Sequence, residues 1–168
     1  MATRLESLTD KHREFIDRQS MFFVATAARE GRVNVSPKGL DTLRVLGANR
    51  VVWLDLTGSG NETAAHLLRQ NRMTIMFCAF EHEPLILRLY GRATEVQPSQ
   101  PGWSELAPLF PALVGSRQIF DLDIDLGHEI DGALLGYADV GAEARHHDVA
   151  GPYDSFDRSC QKEGIDRH

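Results

Sequence analysis

Leu54-Asp-Leu-Thr-Gly-Ser-Gly-Asn-Glu-Thr-Ala-Ala-His-Leu-Leu68 changes its pattern twice. It opens as the end of an apolar run, Arg50 to Leu56, and breaks at Thr57-Gly-Ser-Gly-Asn61. It then sets Ala64, Ala65, Leu67 and Leu68 on one helical face, within a helix predicted over Glu62 to Asn71. The reading is strand, loop, helix. Two glycines let the backbone turn successive N–H groups inward, and the positive end of the helix begins at the same place, so the turn can hold a phosphate. Asn61 or Thr63 offers a side-chain donor, and Thr57 closes the strand with a hydroxyl. The Glu62 carboxylate either caps the helix or faces solvent. No GK[ST] follows and no third glycine completes GxGxxG, so this is neither a Walker loop nor a dinucleotide fingerprint. By itself the stretch is equally well a loop with an ordinary helix cap.

The residues before it form short alternating runs. Ser7 to Gln19 places Leu8, Phe15 and Ile16 among charges behind a capping Ser7 or Thr9, which predicts an amphipathic helix packed through Phe15 and Ile16. Met21 to Ala27 is too short for a typical helix and ends in the turn Arg29-Glu-Gly-Arg32, so it reads as a buried strand. Val33 to Ser36 pairs with it as a hairpin and is ended by Pro37, Lys38 and Gly39. Leu43 to Leu46 and Arg50 to Leu56 form a second pair around Gly47-Ala-Asn49.

Beyond the helix, Arg72 to Phe80 and Leu85 to Val96 are the longest strand candidates, joined by Glu81-His-Glu-Pro84. That makes six strands, with the helix between the fourth and fifth. Trp103, Leu106 and Leu109 predict a short helix over one end. Ile119 to Leu126 alternates apolar with acidic residues, a last strand whose acids face water.

Composition bounds the function. At 168 residues, 42% apolar and 25% charged, the chain is sized for one soluble domain. A net charge of −6 without a basic stripe argues against nucleic acid or an anionic membrane as partner. The apolar stretches are too short to span a bilayer, and the N-terminus lacks a signal-peptide core, so a cytoplasmic protein is the expectation. Cys78 and Cys160 read as free thiols. His146-His147 are neighbours, poorly placed to share an ion, and no metal site is expected. No Ser-His-Asp or Cys-His spacing is recognisable, so no catalytic residue is assigned.

The order strand, Val33-Asn-Val-Ser-Pro-Lys-Gly39, strand, TGSGNETAAHL, NRMTIMFCAF and LRLYGRATEV resembles the pyridoxamine 5'-phosphate oxidase-like family of FMN-binding split barrels. The resemblance runs from about residue 8 to residue 126. It is most specific at Val33 to Gly39, Gly58 to Leu67 and Leu87 to Ala93. It implies a mainly β (α+β) fold, a six-stranded antiparallel split β-barrel with peripheral helices. It also implies FMN at the interface of a homodimer acting on a small-molecule substrate. By position, Ser36 and Lys38 match the strand lining the flavin, Thr57 matches the strand-end hydroxyl, and Asn61, Glu62 and Thr63 match the phosphate turn. Lys38 is the basic candidate for the phosphate. Arg88 shares its strand face with Arg92 and is a candidate for a ribityl or phosphate oxygen.

Two departures accompany the resemblance. Where oxidases of the family place basic residues in the turn, this chain has Glu62 and Thr63, which weakens the hold on phosphate. After Leu126 it reads Gly127-His-Glu-Ile-Asp-Gly, where relatives are expected to complete the flavin site. Residues 1–126 therefore read as the barrel domain and 127–168 as a diverged C-terminal segment. The implied activity is that of an FMN-dependent oxidoreductase, in which the flavin carries the chemistry. A non-catalytic flavin-, deazaflavin- or haem-binding module in stress response or sensing is the alternative.

Overall fold

A strand whose alternate side chains leave solvent lies with one face on a core. In Met21–Thr26, Phe22, Val24 and Thr26 are buried, while Phe23 and Ala25 between them are half-exposed. The computed structural model describes residues 2–58, 60–79 and 84–131. Its strands are β1 (Ala2–Leu5), β2 (Met21–Thr26), β3 (Asn34–Gly39), β4 (Leu43–Gly47), β5 (Arg50–Leu56), β6 (Met73–Cys78), β7 (Leu85–Val96) and β8 (Ser116–Asp131). Its helices are α1 (Asp10–Asp17), α2 (Gly60–Arg69) and α3 (Trp103–Leu106), the last followed by a 3-10 turn over Ala107–Leu109. No helix among the described residues is long and apolar enough to cross a membrane.

The strands form one antiparallel sheet in the order β3-β2-β6-β7-β8-β5-β4, with β1 added beside β8. The sheet curls into a half-barrel. From β3, at one edge, the Lys38 ammonium reaches over the Trp53 ring of β5, 5.3 Å from its centroid. The concave face carries the core: Phe22, Val24, Trp53, Ile75, Phe77, Leu89 and Phe120 are all buried there. Phe15 and Ile16 of α1 close onto it, as their spacing predicts. Strand β5 is buried on both faces, because Val52 and Leu54 meet Leu106 and Phe110 behind the sheet. The helix predicted at Trp103 thus covers the convex side of β5 and β8 and not a barrel end.

The sheet has eight strands, against the six-stranded barrel and the one further last strand expected. Strand β1 was not foreseen, and β8 is longer at both ends than its alternating centre. Asp123 and Asp125 face water as expected, and Asp121 pairs with Arg50 at 2.6 Å. Beyond Leu126, Gly127 to Asp131 continue in register with β7 on one side and β1 on the other. Pro37, Lys38 and Gly39 do not end β3 but belong to it. The proline is tolerated because β3 is an edge, paired only with β2.

α1 is tied down through His12. The Thr9 amide N–H donates to His12 Nδ1 at 3.0 Å, which leaves the ring proton on Nε2, 2.9 Å from Glu129 Oε2. A single imidazole therefore caps α1 and fastens it to the end of β8. His146, His147 and Cys160 lie outside the described residues, as does the segment from 132 onward.

Candidate functional site

The first turn of α2 packs directly against β5 on its concave side. A Cβ at Gly60 would overlap the Asp55 carboxylate, so only glycine brings the helix start this close. Asp55 is buried on the concave face with Trp53. Its Oδ2 accepts from Gln118 Nε2 at 2.8 Å, and its Oδ1 lies 3.8 Å from Lys38 Nζ. Burial pushes the Asp55 carboxyl above its ordinary range, against the Gln118 hydrogen bond and the charges of Lys38 and Arg117.

A raised carboxyl pKa gives a defined pH response. The folded state binds the Asp55 proton more tightly than the unfolded chain does. Its contribution to stability is therefore complete below the ordinary carboxyl value, about 4, and is lost as pH rises through the raised value. Asp55→Asn is expected to remove that loss. Urea midpoints followed upward from about pH 4 should fall less steeply for the variant, and parallel profiles would contradict the assignment.

The candidate residues divide into three places. Lys38 and Ser36 both face the concave side of β3. Lys38 is engaged with Asp55 and Trp53, whereas Ser36 Oγ is buried with no hydrogen-bond partner. Thr57, Asn61, Glu62 and Thr63 lie along the turn and the start of α2. The Thr57 amide and hydroxyl both donate to the Gly115 carbonyl, at 2.8 and 3.1 Å. Thr63 is fully buried, and its Oγ1 accepts from Asn34 Nδ2 at 3.3 Å, docking α2 on β3. Glu62 is exposed and lies 3.9 Å from His66 Nε2. Arg88 is apart from both groups. It sits opposite Met76 and His128 on the convex face, where its charge draws down the Cys78 thiol that burial pushes up.

The residue not anticipated is Arg117, at the start of β8. Its Nη2 donates to the Asn61 side-chain oxygen, which sets a guanidinium against the first turn of α2. A cleft of about 440 Å³ runs beside it, bounded by Asn61, Ala64, Leu68, Glu95, Arg117 and Gln118. Lys38 and Arg117 thus flank the helix start from two sides, although the turn itself carries no basic residue. Trp53 is a core residue, its ring stacked on that of Phe120 at 4.7 Å between centroids.

A curled antiparallel sheet with a strand, turn and helix at its mouth is the architecture of the split β-barrels. The sequence pattern of the family described as Pyridoxamine 5'-phosphate oxidase matches residues 8–130. The pyridoxamine 5'-phosphate oxidase family protein ustO of Aspergillus flavus is 40% identical over 124 residues. These are 71% of this chain and 50% of that protein, so the chain spans about half the relative's length. Among solved structures, HupZ of Group A Streptococcus matches with a TM-score of 0.58 at 17% identity, over 71% of this chain and 91% of its own. HutZ, the haem storage protein of Vibrio cholerae, matches with 0.51 at 19% identity, over 71% and 92%. At these identities the likeness to the solved structures is one of fold. The chain belongs to the pyridoxamine 5'-phosphate oxidase family.

Proposed function

We propose that the protein binds FMN at the interface of a homodimer and works as an FMN-dependent oxidoreductase on a small molecule. The observation that carries this reading is Arg117 held against Asn61 at the first turn of α2. A helix start and a guanidinium together suit a phosphate dianion. The Glu62 carboxylate does not oppose it, since it points to solvent beside His66. Ser36 Oγ, buried and unpartnered on β3, is a further group able to meet a polar edge.

In this reading Arg117, Asn61 and the first-turn amides hold the phosphate, and Gly60 lets the helix start approach β5. Lys38 and Asp55 fix the wall behind it. Bound FMN supplies the electron-accepting ring, and the protein supplies binding, orientation and exclusion of water. Met21, Val33 and Val35, apolar and exposed along β2 and β3, favour a second copy covering that side.

The test is an absorption spectrum of the purified protein with FMN titrated in and followed by flavin fluorescence. Arg117→Ala is expected to weaken FMN binding by the worth of a charge-assisted contact, about 1.5–3 kcal/mol. An unchanged dissociation constant would remove Arg117 from the site. The fold shared with a haem storage protein supports a second reading, a haem-binding module without turnover. Saturable haem binding in a protein that ignores FMN would select it. A monomer by light scattering would count against both.

A further inference from the structure

The edge strands β3 and β4 do not pair with each other, and the gap between them lies under the last turn of α1. A cleft of about 490 Å³ opens there, within the range of small-molecule pockets. Its floor is apolar: Ile16, Phe22, Leu43, Val45 and Phe77, with the Phe22 ring 6.3 Å from that of Trp53. Four charged side chains line the rest, Arg13 and Asp17 from α1, Asp41 from the turn into β4 and Arg44 from β4 itself.

One of these pairs is closed on itself. Arg44 donates to Asp41 Oδ1 at 2.6 Å and to Oδ2 at 2.9 Å, and also to the Leu109 carbonyl at 2.9 Å. It clamps a turn in which Leu40 and Asp41 are both left-handed, at φ 62° and 57°. Residues other than glycine adopt that conformation only at a cost, and it persists where the surroundings over-determine it. The rim is therefore built to a fixed shape. Arg13 and Asp17 are the other pair. They are one helical turn apart on the same face, opposite in charge, and make no ion pair with each other or with any described residue.

We propose that this cleft is a second small-molecule site that takes an apolar α-amino acid as its zwitterion. The carboxylate meets Arg13, the ammonium meets Asp17, and the side chain lies on the Phe22 and Phe77 floor. A simple carboxylate would satisfy Arg13 but set its charge against Asp17, and a simple amine would do the reverse. A ligand carrying both charged groups on one carbon satisfies the two together.

Titration calorimetry with L-phenylalanine tests this. Saturable binding is expected, at least tenfold weaker for N-acetyl-L-phenylalanine, which lacks the ammonium, and for L-phenylalanine amide, which lacks the carboxylate. Arg13→Gln and Asp17→Asn should each weaken L-phenylalanine at least tenfold. Asp17→Asn should tighten the N-acetyl compound, whose carboxylate no longer faces a like charge, and Arg13→Gln should do the same for the amide. Neither position belongs to the buried stripe of α1, His12, Phe15 and Ile16, so circular dichroism and the FMN titration should match the parent protein. Absence of saturable L-phenylalanine binding would overturn the proposal. So would binding indifferent to both substitutions, or an N-acetyl compound that binds as tightly as the free amino acid.

Discussion

Trp53→Ala is expected to remove about 3–5 kcal/mol of stability, the cost of emptying a large aromatic site in a packed core. Trp53 is fully buried, stacked on Phe120 and met edge-on by Phe22, and Lys38 rests above it. Its neighbours belong to strands on both sides of the half-barrel, so collapse into the void would have to move the sheet itself. A single domain holds only about 5–15 kcal/mol in total, so the variant should be largely unfolded at modest urea. Trp53→Phe should cost far less. It keeps most of the ring contact and removes Trp53 Nε1, which is buried without a partner. Urea unfolding followed by circular dichroism gives both values. A loss below about 1 kcal/mol for the alanine variant would mean that the site closes over, which the packing does not allow.

Gly91→Ala is the second large effect. Between Tyr90 and Gly91 the pairing of β7 with β8 slips by one residue, leaving Asp125 unmatched, and the backbones close in. A Cβ on Gly91 would overlap the Asp123 carbonyl oxygen, a backbone atom held in the ladder, so no side-chain rotation relieves it. The expected cost is about 3 kcal/mol, at the upper end for overpacking. Gly47→Ala serves as the control. Its Cβ would lie 3.8 Å from that of Arg50, an ordinary contact, and the loss should be a small fraction of the other. Similar urea midpoints for the two variants would refute the close approach at Gly91.

Side-chain alternation carried most of the fold. The strands β2 and β6 bury every other residue, β7 does so from Leu87 to Ala93, and α1 shows its apolar stripe at Phe15 and Ile16. What alternation missed is held by pairing and not by apolar side chains. β1 is a short strand registered on β8, and Gly127 to Asp131 are mostly polar because neighbours on both sides fix them. Pro37 looked like a strand end because the sequence does not show that β3 has an open side. At the site, the turn before α2 was legible from its glycines. The cation beside it was not, because Arg117 and Asn61 are 56 residues apart and meet only when β8 lies alongside β5. Asp55 did leave a mark, a single carboxylate in the run VVWLDL, where a buried charge calls for a partner. The glycine-rich turn and Lys38 drew the site reading instead.

Strand β8 also decides when the molecule can exist during its own synthesis. Ala2 waits for Ile130, and Val51 for Leu122. Until β8 clears the ribosome, β5 and β7 lack the neighbour they share. At roughly 5–20 residues per second, the nascent chain spends several seconds with its apolar strands incompletely paired. Such long-range pairing is slow to form and open to wrong partners in the interval. The unfinished sheet is therefore exposed to wrong pairing until β8 is in place.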